Sequence, residues 1–313
     1  MTVFLATLNQ MGILFSMILV GYIAAKCRVV PENAAGILSK LENTVFVPAL
    51  VLGTFLNHFT LERIGEAGQY LLAGFAVMIP CIPLAILLSS VLVKDRYTQK
   101  IYTYGLAFSN FGFVGNAVVA ALYPEIFMEY LIFVLPFWMA IYVWGVPALL
   151  IPVDDGAGIN SRLKNFCNPM FAGMVIGMGL GLLNAPVPAF ARSILTTLGD
   201  CMSPIAMLLT GMTIARIDLK STLTNALLYA VSLIRLLAIP LLAIAVLRIL
   251  KLSYGIEACI VCNLAMPLGL STVVIPASYG KDTSTAAGMA LLSHLLSCAT
   301  IPLIFMLFEM LPV

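Results

Sequence analysis

Apolar positions gather into ten long runs, near residues 4–25, 34–57, 69–93, 101–122, 130–152, 168–184, 193–214, 223–248, 257–279 and 286–309. They show neither the strict alternation of a half-buried strand nor the single stripe of a surface helix. Most approach the length of about 20 residues that a helix needs to cross hydrocarbon. The polar breaks between them are short: "KCRVVPE" from Lys26, "ERIGE" from Glu62, "KDRYTQK" from Lys94, "DDGAGINSRLK" from Asp154 and "KDTS" from Lys281. "NAPVPA" from Asn184 shortens the sixth run, and Asp200 interrupts the seventh. The pattern predicts an all-α polytopic membrane protein with ten transmembrane helices.

The two halves share landmarks at an offset of 156–157 residues: Pro48 meets Pro204, Pro83 meets Pro240, Lys94 and Tyr97 meet Lys251 and Tyr254, and Gly112 meets Gly269. A duplication divides the chain into 1–155 and 156–313, each with five spans. An odd number of spans forces the halves into opposite orientations, the inverted repeat of many secondary transporters, whose site lies where the repeats meet. The pointer to such a site is an interrupted span at the same place in both halves. Segments four and nine supply it, with "NFGFVGN" from Asn110 and "NLAMPLGLST" from Asn263.

A helix broken inside the membrane frees N–H and C=O groups that lipid cannot satisfy, so it must line a cavity or be buried in protein. Gly112, Gly115 and Gly269 allow close crossing, and Pro267, after Met266, removes a donor. Amides at the start of a half-helix carry partial positive charge and can hold an anion. Asn110, Asn116, Asn263, Ser271 and Thr272 add neutral hydrogen-bonding groups without the cost of a buried charge. The alternative is that small residues here serve only tight helix packing; the register of the two segments favours a substrate site.

Composition agrees. Of 313 residues, 62% are hydrophobic and 10% charged, against about 25% charged in a soluble domain, so most of the surface must face lipid. A net charge of +2 gives no reason to expect a nucleic-acid partner. Lys and Arg are concentrated in the loops after odd-numbered segments, which places those loops in the cytoplasm and both termini outside. The first apolar run lacks a basic lead-in and a cleavage site, and reads as a retained helix. Cys259 and Cys262 have the CxxC spacing but no companion ligands, and read as packing residues rather than a zinc or redox pair. The sequence contains no GxxxxGK[ST] motif, catalytic triad or metal cluster, so neither ATP-driven transport, an enzyme, a cofactor nor a metal site is expected.

"NFGFVG" from Asn110, followed by Tyr123 and Pro124, resembles the fourth-helix signature of the auxin efflux carrier family, including its bacterial malonate/malate-permease-like members. "AMPLGLST" from Ala265, with "YGKD" from Tyr279, is similar to the ninth-helix signature; "NTVFVP" (Asn43, Pro48) and "PIAMLLTG" (Pro204) resemble the patterns of helices two and seven. The resemblance implies ten helices in two inverted five-helix repeats, with helices 4 and 9 broken and crossing around the substrate. It also implies organic-anion transport by an elevator-like motion of a transport part against a scaffold. Family members often carry Pro where this chain has Ala117, so the break in segment four is expected to rest on Gly112, Gly115 and Asn116. The bile acid:sodium symporters share a similar fold; their sodium sites use acidic and amide groups, and the crossing segments here offer only Glu257.

Within the spans, Arg235 is read either as a charge that attracts an anion or pairs with Asp200, or as an anchor of segment eight at the interface. Asp200 is a proton-coupling carboxylate or a helix-end cap. His294 is a proton-coupling group or a hydrogen-bonded interior residue. His58, Glu62 and Arg63 read as an external loop. The expected function is a secondary carrier of small organic anions such as carboxylates in the cell (cytoplasmic) membrane, with lipid and a homodimer mate as further partners. The competing readings are a sodium-coupled organic-anion symporter and a non-transporting membrane sensor on the same fold. A dicarboxylate, an aromatic acid and an amino acid fit the neutral site equally.

Overall fold

The computed structural model describes residues 2–151 and 168–310, and among them every regular element is a helix. In chain order these are α1 (Thr2–Lys26), α2 (Ala34–His58), α3 (Leu61–Leu92), α4 (Arg96–Ala107), α5 (Asn116–Leu122), α6 (Pro124–Leu150), α7 (Pro169–Leu182), α8 (Ala189–Ile214), α9 (Leu219–Thr224), α10 (Ala226–Leu250), α11 (Tyr254–Leu264), α12 (Ser271–Ser278) and α13 (Ser284–Met310). Six of them (α2, α3 from Ala67, α6, α8, α10 and α13) are long and apolar enough to cross a membrane. Gly12–Lys26, α7 and α11 are shorter apolar helices. The expected loop from Asp154, with Arg162 and Lys164, lies outside the described residues.

Several helices start earlier than the apolar runs do, and two of these starts are set by side-chain caps. Thr60 Oγ1 accepts from the Arg63 amide at 3.3 Å, so the "ERIGE" tract, expected as a loop, is the first turns of α3, and the kink comes at Ala67. Asp95 Oδ2 accepts from the Thr98 amide at 2.8 Å and starts α4 at Arg96, ahead of the expected 101. That backbone bond, with the Thr98 hydroxyl, holds the Asp95 carboxyl below its usual range. Hydropathy marks where lipid begins; a cap marks where the helix begins.

The most extensive pairings are α1 with α8 and α2 with α7, and both rest on backbone contact at glycine. A Cβ at Gly21 would overlap the Leu208 carbonyl, and one at Gly211 the Ile18 carbonyl. On α7, Gly173, Gly177 and Gly181 fall at helical spacing against the carbonyls of Pro48, Leu52 and Phe59, where added Cβ atoms would lie 2.6–2.9 Å away. Without a hydrophobic force between helices in lipid, such close approach supplies the packing energy. Pro48 and Pro240 also widen their helices: the turns just ahead of them, Glu42–Phe46 and Ile234–Ala238, are π-helical, since proline offers no N–H to the preceding turn.

The breaks in segments four and nine lie at the centre of this packing. Every residue from 101 to 111 and from 257 to 270 is buried, whereas α3 exposes Leu72, Ile79, Leu87 and Val91. Freed backbone groups are thus kept from lipid, as the bilayer requires.

Candidate functional site

α4 ends at Ala107, and Phe108 turns into extended backbone (φ −117°, ψ 117°). α11 ends at Leu264, and the chain stays irregular until Ser271. The two irregular stretches lie side by side: Ser109 forms an antiparallel bridge with Leu268, and the Asn110 amide donates to Pro267 O at 2.8 Å. Ser109 Oγ donates to Asn263 Oδ1 at 2.8 Å and ties the bridge to the end of α11. The break in segment four therefore lies at Phe108–Asn110, before the glycines and not at them. Gly112 and Gly115 serve approach to α6: a Cβ at Gly112 would stand 2.9 Å from the Trp138 ring, and one at Gly115 2.6 Å from Tyr130 Oη.

Arg235 lies behind this junction and is 1% exposed. Its guanidinium donates to three main-chain oxygens: Leu106 O at 3.1 Å, Asn263 O at 3.3 Å and Met266 O at 3.3 Å. Leu106 O and Asn263 O belong to the ends of α4 and α11, where helices leave acceptors unpaired and carry partial negative charge, and Met266 O to the irregular stretch just after α11. Arg235 neither anchors α10 at the interface nor pairs with Asp200, and the reason is the breaks themselves. They create buried acceptors that only a planar, multi-pronged donor reaches together. Asp200, the last residue of Ala189–Asp200, is exposed and caps neither adjoining helix with its side chain.

On the other side of the junction is a cavity of about 30 Å³. Asn43, Ser109, Asn110, Gly112, Gly269 and Ser271 line it together with aromatic residues Tyr104, Trp138 and Tyr142. Among its polar groups, Asn43 Oδ1, Asn110 Oδ1 and Trp138 Nε1 have no hydrogen-bond partner. Asn43 is held by donating Nδ2 to Val274 O at 3.3 Å, and Ser39 Oγ donates to the same oxygen. Asn110 is held by His294 of α13: Nδ2 lies 2.8 Å from Nε2, while Nδ1 lies 2.8 Å from Ala290 O. A carbonyl only accepts, so Nδ1 carries the proton and Nε2 accepts from the amide.

Of the residues expected at the site, Asn43, Asn110, Gly112, Gly269 and Ser271 meet at the cavity. Asn263, Met266 and Pro267 are buried and engaged through the bonds above, and Thr272 Oγ1 donates to Gly269 O at 2.8 Å. Gly115 and Asn116 lie beyond the cavity, and Asn116 is half-buried with its Oδ1 unpartnered. Pro48 packs against Gly173, and Pro204 is half-buried in α8; neither lines the cavity. Tyr104, Trp138 and Tyr142 escaped sequence reasoning because aromatics in apolar helices look like ordinary core. Glu42 was missed too: it is fully enclosed beside Asn43, and both its oxygens are unpartnered. An acid inside an apolar run was the available signal. Glu257 instead forms an ion pair with Arg248 at 3.5 Å and accepts from the Leu252 amide at 3.2 Å, at the start of α11. Among the described residues, no three His, Cys, Asp or Glu gather as a metal would need.

The sequence profile of a family described as "membrane transport protein" matches residues 6–154 and, a second time, residues 157–305. No curated protein matches the chain.

Proposed function

The chain belongs to the membrane transport protein family, that of the auxin efflux carriers, and from that premise we propose that it is a secondary carrier of small organic anions such as carboxylates. The observation that carries the reading is the junction itself. Two interrupted helices, one from each half of the twice-matched chain, abut at a buried cavity lined by neutral amide, hydroxyl and indole groups.

The proposed architecture is ten spans in two inverted five-helix repeats, 1–155 and 156–313, with segments four and nine crossing. Asn110 and Pro267, joined by an amide-to-carbonyl bond beside the bridge, are 157 positions apart (267 less 110), and antiparallel contact of equivalent residues is what a two-fold axis gives. The pairings α1 with α8 and α7 with α2 are each other's counterparts under the same exchange. Five spans per half then set the halves in opposite orientations. The cytoplasmic membrane, with both termini outside, is the proposed location, supported by the Lys and Arg distribution.

The cavity of about 30 Å³ holds roughly two waters and no carboxylate. Binding therefore requires Trp138 and Tyr142 of α6 to move off the breaks. We propose that this relative motion is the elevator step, in which the part carrying the junction shifts against a scaffold. Transport follows if the junction opens to each side in turn.

A second reading, sodium-coupled symport, draws on Glu42, whose enclosed and unpartnered carboxyl group stands next to a cavity-lining amide. A thermal-shift screen of the purified protein against organic acids, with and without sodium, tests both. Under the first reading an acid stabilises the wild type, and Asn110→Ala abolishes that shift at unchanged basal stability. A shift that appears only with sodium supports the second reading. Full stabilisation of Asn110→Ala contradicts the site.

A further inference from the structure

His294, 5% exposed on α13, is a buried titratable group bonded to Asn110 at the junction. We propose that His294 links proton binding to anion binding by reversing the Asn110 amide. The proposal rests on the reading that the cavity takes an organic carboxylate.

In the neutral state the ring's single proton is spent on Ala290 O, so Nε2 is an acceptor and takes Nδ2–H of Asn110. The amide is thereby fixed with Oδ1 as its free end, and that oxygen is buried without a partner on a residue that lines the cavity. Asn43 Oδ1, also unpartnered, is a second acceptor in the same lining. Two acceptors repel a carboxylate. When Nε2 takes up a proton, the ring keeps its bond to Ala290 O and now offers Nε2–H as well. Asn110 can meet that donor only with Oδ1. Its amide turns over, and Nδ2 with its N–H groups takes the place Oδ1 held. At Asn110 the lining changes from acceptor to donor beside a new positive charge, while Trp138 Nε1 is a donor and Asn43 Oδ1 an acceptor in either state. An imidazolium enclosed without a counter-charge is costly, and the bound carboxylate is that counter-charge. One proton enters from water on the side where the site is open and leaves with the carboxylate on the other side.

The elements packed against α13 supply no competing counter-charge among the described residues. Lys26 of α1, Lys220 of α9 and Asp200 of α8 are exposed, and Arg192 of α8 bonds Asn57. Arg235 of α10 is committed to carbonyls, and Arg248 to Glu257 of α11. Glu309 of α13 accepts from the hydroxyls of Tyr123 and Tyr254. Tyr22, Tyr229, Cys201, Cys259, Cys262 and Cys298 complete the titratable groups on these elements.

The test uses the full chain in lipid nanodiscs, with succinate and benzoate as probes. The sequence holds two histidines, His58 and His294, so ¹⁵N-histidine labelling with His294→Gln as the assignment control reads the His294 tautomer directly. The expected result is Nδ1–H without acid and both nitrogens protonated with acid bound. An Nε2–H tautomer, or Nδ1–H unchanged with acid bound, overturns the proposal. Apparent Kd measured between about pH 5 and 8, the ordinary histidine range, gives a second reading. For the wild type it should weaken about tenfold per pH unit once His294 is neutral, the slope of one linked proton. His294→Gln, whose amide meets Asn110 in either orientation, should bind with a flat pH profile, while Glu42→Gln keeps the slope. A slope that persists in His294→Gln, or disappears in Glu42→Gln, also overturns the coupling. Failure of both acids to bind at every pH sinks the carboxylate reading and the coupling with it, whereas pH-independent binding sinks the coupling alone.

Discussion

Arg235 reaches three main-chain oxygens from two different helix ends. Each of those carbonyls would cost about 1–3 kcal/mol if left buried and unpaired. Arg235→Ala is therefore expected to destabilise the protein by roughly 3 kcal/mol or more, read as a lower Tm in detergent. Arg235→Lys should recover only part of the loss, because an ammonium is a point charge that cannot span three separated acceptors. Equal stability of the alanine variant and the wild type would show that the carbonyls find other partners. This role was not legible in the sequence. An arginine in an apolar run with no acid nearby invites a search for a side-chain partner, yet its partners are backbone atoms freed by breaks in other helices. His294 shows the reverse case. Its environment among serines was readable as an interior hydrogen bond, but its bond to Asn110, 184 residues away, exists only in the fold.

At the scale of elements, close helix approach rests on particular glycines. On α7, a Cβ at Gly177 would come 2.6 Å from Leu52 O, whereas one at Gly179 meets nothing within 4 Å. Gly177→Ala should push α7 off α2 and cost about 1–3 kcal/mol, as overpacking does. Gly179→Ala on the same helix should be neutral, or gain up to about 1 kcal/mol from helix propensity. Thermal unfolding of the pair distinguishes packing from propensity, and equal effects would contradict the packing argument. The interrupted elements were legible, because Asn, Gly and Pro crowd into the same place in two apolar runs. Their detail was not: the break of segment four falls at Phe108–Asn110, upstream of the glycines, where Phe108 is extended and Ser109 pairs with Leu268 of segment nine. Helix starts at Leu61 and Arg96 were hidden for a different reason, as Thr60 and Asp95 cap helices outside the apolar runs.

For the whole molecule, the proposed site lies where segments four and nine meet. The two interrupted stretches, one in each family-matched part, bond to each other and line the cavity together. The doubling and the polar residues of segments four and nine were readable from spacing, and Asn110, Gly269 and Ser271 do line one cavity; Asn43, which lines it too, was expected only through the family resemblance. The aromatic wall of Tyr104, Trp138 and Tyr142 was not, because a helix whose every face is apolar does not disclose which ring meets a cavity. The central claim is that substrate passes through this junction. Gly269 tests it without adding charge: a Cβ there would lie 3.2 Å from Phe108 O and 3.4 Å from the Tyr104 ring, so Gly269→Leu fills the space between the breaks. The measurement is uptake of radiolabelled succinate and benzoate into proteoliposomes carrying wild type, Gly269→Leu or Gly179→Ala at matched incorporation. Saturable uptake is expected of wild type and Gly179→Ala, and loss of at least about 90% in Gly269→Leu, equivalent to some 1.4 kcal/mol or more in transport free energy. Wild-type uptake by a folded Gly269→Leu would contradict the claim.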